Sequence, residues 1–150
     1  MGRSLHDHAR WALDHPISSD LGGWSLNGEY ETRLDADGSG HWEIDGSSVP
    51  ELDGCLDVDL ESSACTNTIP VHRLKLRVGQ SVEAPAAYVR ALDLRVERLE
   101  QNYMRVDDDG DDGDRHRYRY RSPAFGFEAR LVYDASGLVL DYPGIASRVR

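Results

Sequence analysis

Lysine is almost missing from this chain. Lys75 is the only one, and the other 16 basic residues are arginine. Acids outnumber bases by 27 to 17, and 18 of the acids are aspartate. The resulting net charge of −10 repels phosphate backbones, so nucleic acid is not an expected partner. An Asp-rich, Lys-poor surface suits a high-salt interior, where screening over roughly 3 Å at molar salt removes self-repulsion. The acidic composition therefore points to a halophilic source. Cysteine is nearly absent too. Cys55 and Cys65 stand ten apart, which fits no zinc spacing, and they read as inert free thiols unless strands bring them together for a local disulfide. No apolar run is long enough to form a membrane-spanning helix. The segment Met1 to His8 lacks the apolar centre of a secretory signal, so a cytoplasmic location is expected. There is no βαβ repeat and no glycine-rich dinucleotide loop, and no cofactor is implied.

What remains is a polar chain of 150 residues, enough for one domain with a real core. Residues 1–22 differ from the rest. Ser4 to His15 has the pattern of a short helix ended by Pro16, so this segment reads as an N-terminal helix or tail. His8 and His15 could share a helical face, but no further ligand completes a metal site. Residues 23–150 read as a single β domain. Trp24, Leu26, Gly28, Tyr30, Thr32 and Leu34 alternate with polar residues, the signature of a half-buried strand. A turn at Asp35 to Gly40 and a return strand at His41 to Ile44 follow. Leu56, Val58 and Leu60 alternate with Asp57, Asp59 and Glu61, which suggests one apolar face and one solvated acidic face. Ile69 to Val78 reads as another strand. Ala84 to Leu92 fits a short helix or the start of a strand. A shift of phase near Arg98 suggests a bulge. Tyr118 and Tyr120 alternate with Arg117, Arg119 and Arg121, and Phe125 to Tyr133 repeats period two. Short strands joined by Gly and Asp turns indicate a mostly β, antiparallel roll or half-barrel with one or two short helices.

The acidic clusters invite three kinds of chemistry. Asp35, Asp37, Ser39 and Gly40 match the start of a calcium loop, but Gly46 stands where the bidentate Glu belongs. Asp107, Asp109 and Asp111 fail at Asp112, which replaces the required Gly. Both read as turns, and no metal site is expected. Asp57, Asp59 and His72 could do acid–base work, yet no nucleophile motif accompanies them, and no catalytic residue is assigned. The arginine ladder Arg117, Arg119, Arg121 could neutralise Asp57 and Asp59 across the sheet, or bind an anionic headgroup. Neutralisation is the simpler reading.

Several stretches, in this order and spacing, carry a more specific message. Leu52-Asp53-Gly54-Cys55-Leu56-Asp57-Val58-Asp59-Leu60 precedes Thr66-Asn67-Thr68-Ile69-Pro70-Val71-His72-Arg73-Leu74. Gln101-Asn102-Tyr103, Tyr118-Arg119-Tyr120-Arg121-Ser122 and Gly137-Leu138-Val139-Leu140-Asp141-Tyr142-Pro143-Gly144 complete the series. From about Trp24 to Val149 the chain resembles the Putative glycolipid-binding family, prokaryotic proteins of unknown function. The resemblance implies a β-roll or half-barrel around an apolar groove and a non-catalytic role in binding an amphipathic lipid or glycolipid. Family members usually carry additional strands before the part matching Trp24, which residues 1–22 do not resemble. Their lack would leave an open sheet edge and favour a homodimer. On this reading Trp24, Tyr30, Trp42 and Tyr142 form the apolar wall, while Asn67, Arg73, Gln101 and Tyr103 orient the headgroup. The alternatives are an interaction protein pairing through sheet edges and an enzyme of unrecognised class.

Overall fold

The computed structural model describes residues 24–25, 31–107 and 114–149, with side chains from Thr32 onward. The helix expected at Ser4 to His15, the tail at 1–22 and most of the Asp/Gly loop at 107–114 lie outside the described residues. The described chain is mostly β, as expected, and none of its sheets closes into a barrel. A short ribbon pairs β1 (Trp24–Ser25) with β2 (Glu31–Thr32). Then come β3 (Leu34–Ala36), β4 (Trp42–Ile44) and β5 (Ser47–Ser48), an antiparallel meander. Its first turn is built by Asp37, whose Oδ1 accepts the N–H groups of Ser39 and His41 at 2.8 and 3.1 Å. Gly40 closes that turn at φ +100°. An added Cβ there would sit 3.0 Å from Gly54, so the backbone approach requires glycine.

The next strand, β6 (Asp57–Leu60), lies parallel to β8 (Ala86–Val89), which pairs antiparallel with β9 (Val96–Leu99). Between β6 and β8 the chain makes helix α1 (Thr68–Leu74) and strand β7 (Ser81–Glu83). The expected strand at Ile69 to Val78 is thus a helix in its first half. Pro70 sits in the first turn, where its missing N–H costs nothing. Lys75 ends the helix in a left-handed conformation, its N–H reaching Val71 O at 3.2 Å. The segment starting at Ala84 resolves as strand β8, not helix, because its residues fill both faces of a buried sheet.

The largest sheet has six strands, ordered β14 (Ala146–Ser147), β13 (Val139–Tyr142), β12 (Phe127–Asp134), β11 (Arg115–Ser122), β10 (Asn102–Val106) and β7. The phase shift read as a bulge near Arg98 is a change of sheet: β9 ends at Leu99, and β10 starts at Asn102 in the six-stranded sheet.

Two apolar cores result. One gathers Leu34, Trp42, Leu52, Cys55, Val58, Leu60, Ile69 and Val89. The other is built on tyrosines: Tyr103, Tyr118, Tyr120, Tyr133 and Tyr142, with Leu131 and Val71. Strand β6 divides them. Val58 and Leu60 enter the first core, so the alternating Asp57 and Asp59 point to the side of the second. Both carboxylates are buried, with Asp57 only 1% exposed. The expected solvated acidic face is therefore an interior one. The arginine ladder does not neutralise it either. Arg119 and Arg121 lie 3.6 and 3.5 Å from Glu128 on the neighbouring strand β12, and Asp57 takes its cation from helix α1.

Candidate functional site

The site begins with two aspartates two residues apart on β6 that meet opposite fates. Asp57 is bound by Arg73, Nε to Oδ1 at 2.9 Å and Nη2 to Oδ2 at 2.6 Å. Asp59 has no such partner. Thr66 Oγ1 donates to its Oδ1 at 2.8 Å, and Gln101 Nε2 donates to its Oδ2 at 2.5 Å. No basic side chain among the described residues lies within ion-pair distance of it. Burial disfavours its charged form and pushes its pKa up to about 6, against the pull of those two hydrogen bonds.

Asp59 lines a cavity of about 320 Å³ between the β6–β8–β9 sheet and the six-stranded sheet. The enclosed part of the wall is mixed: Asp59, Asn67 and Ser122 are buried beside Leu60, Leu99 and the rings of Tyr88, Tyr120 and Tyr142. Ser122 Oγ is enclosed and meets no strict hydrogen-bond geometry, but it interacts with the neighbouring Tyr120 hydroxyl. Aromatic rings stand around this space. Tyr88 and Phe125 have centroids 5.6 Å apart, and Tyr120, Phe127 and Tyr142 form a triangle with sides of 6.0 to 6.1 Å. Burial raises the hydroxyls of Tyr88 and Tyr142 to about 12, so both stay neutral hydrogen-bonding groups near pH 7. Phe125 and Ile145 are 57% and 43% exposed, which places apolar surface at the rim.

The residues expected from sequence fall into five groups. Asn67 and Tyr142 line the cavity. Gln101 and Tyr103 stand directly behind it: Gln101 holds Asp59, and the Tyr103 hydroxyl accepts the Asn67 side-chain N–H at 2.8 Å. Arg73 is occupied with Asp57. Trp42 packs in the other core, its indole N–H donating to Cys55 O at 2.8 Å. The Trp24 side chain and Tyr30 lie outside the described residues. Of Asp57, Asp59 and His72, only Asp59 reaches the cavity, while His72 is exposed and abuts the turn at Gly137. Sequence reasoning did not assign Tyr88, Tyr120, Ser122, Phe125, Phe127 or Ile145 to a site. The period-two pattern of Tyr118, Tyr120 and Ser122 against three arginines was the available signal for the first strand of that wall.

No curated protein matches this chain. Among solved structures it is similar to the crystal structure of a DUF1089 family protein from Pseudomonas aeruginosa, at 40% identity and a TM-score of 0.70. That match covers 80% of this chain but only 62% of the other, so this chain spans less than two thirds of the relative's length. The model of the family described as Putative glycolipid-binding matches residues 9–148, beginning ahead of Trp24, and the chain belongs to that family.

Proposed function

We propose that the cavity between the two sheets binds an amphipathic molecule, a glycolipid by the family's description, and performs no chemistry on it. One observation carries this reading: the cavity wall sets hydrogen-bonding groups beside a broad apolar and aromatic surface. Buried Asp59 and Asn67 stand among Leu60, Leu99 and the tyrosine rings, and Phe125 and Ile145 extend apolar surface to the exposed rim. A ligand complementary to that wall places its polar end at Asp59 and Asn67 and lays its apolar part against the rings. The size lies at the lower end of small-molecule sites, which are about 300 to 1,000 Å³. That suits a headgroup and the start of a chain, not a whole lipid. Sugars pack on aromatic faces and donate hydroxyls to carboxylate and amide oxygens, and both kinds of group are present.

The test is native mass spectrometry after incubation with a total lipid extract. A lipid adduct of one per chain is expected, weakened by Phe127→Ala. A bare protein mass under conditions that preserve the fold would sink the proposal.

A further inference from the structure

The cavity also carries information about the charge of what it takes. Arginine makes up 16 of the 150 residues, yet among the described residues no Arg, Lys or His lines this cavity. Among the described residues its only charged groups are the carboxylates of Asp59 and Glu61. The cation on the adjoining helix, Arg73, is paired with Asp57. Asp59 is thus a buried carboxylate held by two neutral donors, Thr66 and Gln101. A carboxylate offers about four acceptor positions, so two remain open. Burial of such a group is costly unless a counter-charge meets it.

The rings supply a second, independent indication. Tyr88, Tyr120, Phe125, Phe127 and Tyr142 surround the same space. Aromatic faces carry negative quadrupole potential and attract ammonium ions placed over them. An anionic headgroup would meet two carboxylates and, among the described residues, no cation. A neutral sugar could satisfy the hydrogen bonds but would leave the charge on Asp59 unpaired.

We propose that the headgroup entering this cavity carries a cationic amine attached to an apolar chain, with Asp59 as its counter-ion and the rings as its cage. This inference rests on the amphipathic-ligand reading and narrows it to one class.

The test compares three dodecyl amphiphiles below their micelle concentrations: dodecylammonium, dodecyl glucoside and dodecyl phosphate. Binding is followed by calorimetry at neutral pH in enough salt to screen the net charge of −10. The ammonium compound is expected to bind at least about tenfold tighter than the glucoside, and the phosphate most weakly. Asp59→Asn should remove that preference, bringing the ammonium and glucoside affinities to within about threefold of each other, with circular dichroism confirming the fold. A glucoside that binds as tightly as the ammonium overturns the inference and leaves the amphipathic reading standing. A preference that survives in Asp59→Asn overturns it as well, because the attraction would then come from the acidic surface. Failure of all three to bind a folded protein overturns both readings.

Discussion

Arg73 reaches from the end of helix α1 to hold Asp57 on β6 with two parallel hydrogen bonds, at 2.9 and 2.6 Å. The carboxylate is 1% exposed and the guanidinium side chain 32%, so the buried partner depends on the more exposed one. Removing Arg73 would leave an uncompensated charge inside the protein. Arg73→Met should therefore destabilise the fold by about 3–5 kcal/mol. Arg73→Lys should recover only part of this, because an ammonium cannot reproduce the planar two-point contact. Urea denaturation of the three proteins checks both statements. Equal midpoints for parent and Arg73→Met would show that the pair contributes nothing net.

Trp42 and Phe125 separate stability from binding. Trp42 is 2% exposed and packs among Leu34, Leu52 and Val58, on the far side of β6 from the cavity. Trp42→Ala should cost about 3–5 kcal/mol through the void it leaves and the freed Cys55 carbonyl. Phe125 is more than half exposed on the cavity rim, so Phe125→Ala should shift stability by under about 1 kcal/mol. Its lipid adduct in native mass spectrometry should nevertheless weaken. Parallel thermal melts and adduct intensities give the comparison, and a Phe125→Ala protein with undiminished adduct would remove the rim from the site.

The alternation of Leu56, Val58 and Leu60 with acids was legible in the sequence, and the structure keeps its phase. What could not be read was that the acidic side is also interior. Period two tells which residues share a face, not whether that face meets water. In a chain whose acids are mostly solvated turns, two buried aspartates look like the rest. The tyrosines of β11 were legible for the same reason that Asp59 was not: their polar alternates, Arg119 and Arg121, do face solvent. Helix α1 was misread because Ile69, Val71 and Leu74 satisfy a short strand pattern as well as a helix, and seven residues are too few to separate the periods. Asn67, Gln101, Tyr103 and Tyr142 emerged from the family motifs, and all four stand on or directly behind the cavity. Trp42 was assigned to the wall on ring type alone, and ring type does not distinguish a core from a pocket.

Gly137 tests how the helix is seated on the large sheet. It has φ +76° in the turn between β12 and β13, and a Cβ there would lie 2.4 Å from His72 Nε2. Gly137→Ala should therefore lower stability by about 1–3 kcal/mol, from the left-handed backbone and the displaced imidazole together. His72→Ala on its own should change little, since the ring is exposed. In the double variant only the steric part should return. A double-mutant cycle measured by denaturation gives that part directly, and strictly additive effects would mean the ring moves aside freely.

Asp59 makes a prediction about pH. Its pKa is about 6 in the folded protein, against an ordinary value of 3.8, chiefly because burial disfavours the charge and secondarily because the Asp57 carboxylate is near. Between those two values the folded state holds a proton that the unfolded chain has released. Unfolding then releases a proton, so stability falls as pH rises from about 4 to about 6 and is level above that. Two pKa units correspond to about 3 kcal/mol at most. The tyrosines that face Asp59, namely Tyr88, Tyr103, Tyr120, Tyr133 and Tyr142, are all shifted upward by burial and do not titrate in this window. Asn at this position keeps the shape and can pair with Thr66 and with a turned Gln101 amide. Asp59→Asn should thus match the parent near pH 4 and exceed it in stability near pH 7, with the gap opening through pH 5. Melting both proteins across that range isolates the contribution, because other titrating groups act equally on the two. A constant gap would mean that Asp59 keeps its ordinary pKa in the folded protein, and a cationic ligand would then relieve little buried charge by binding beside it.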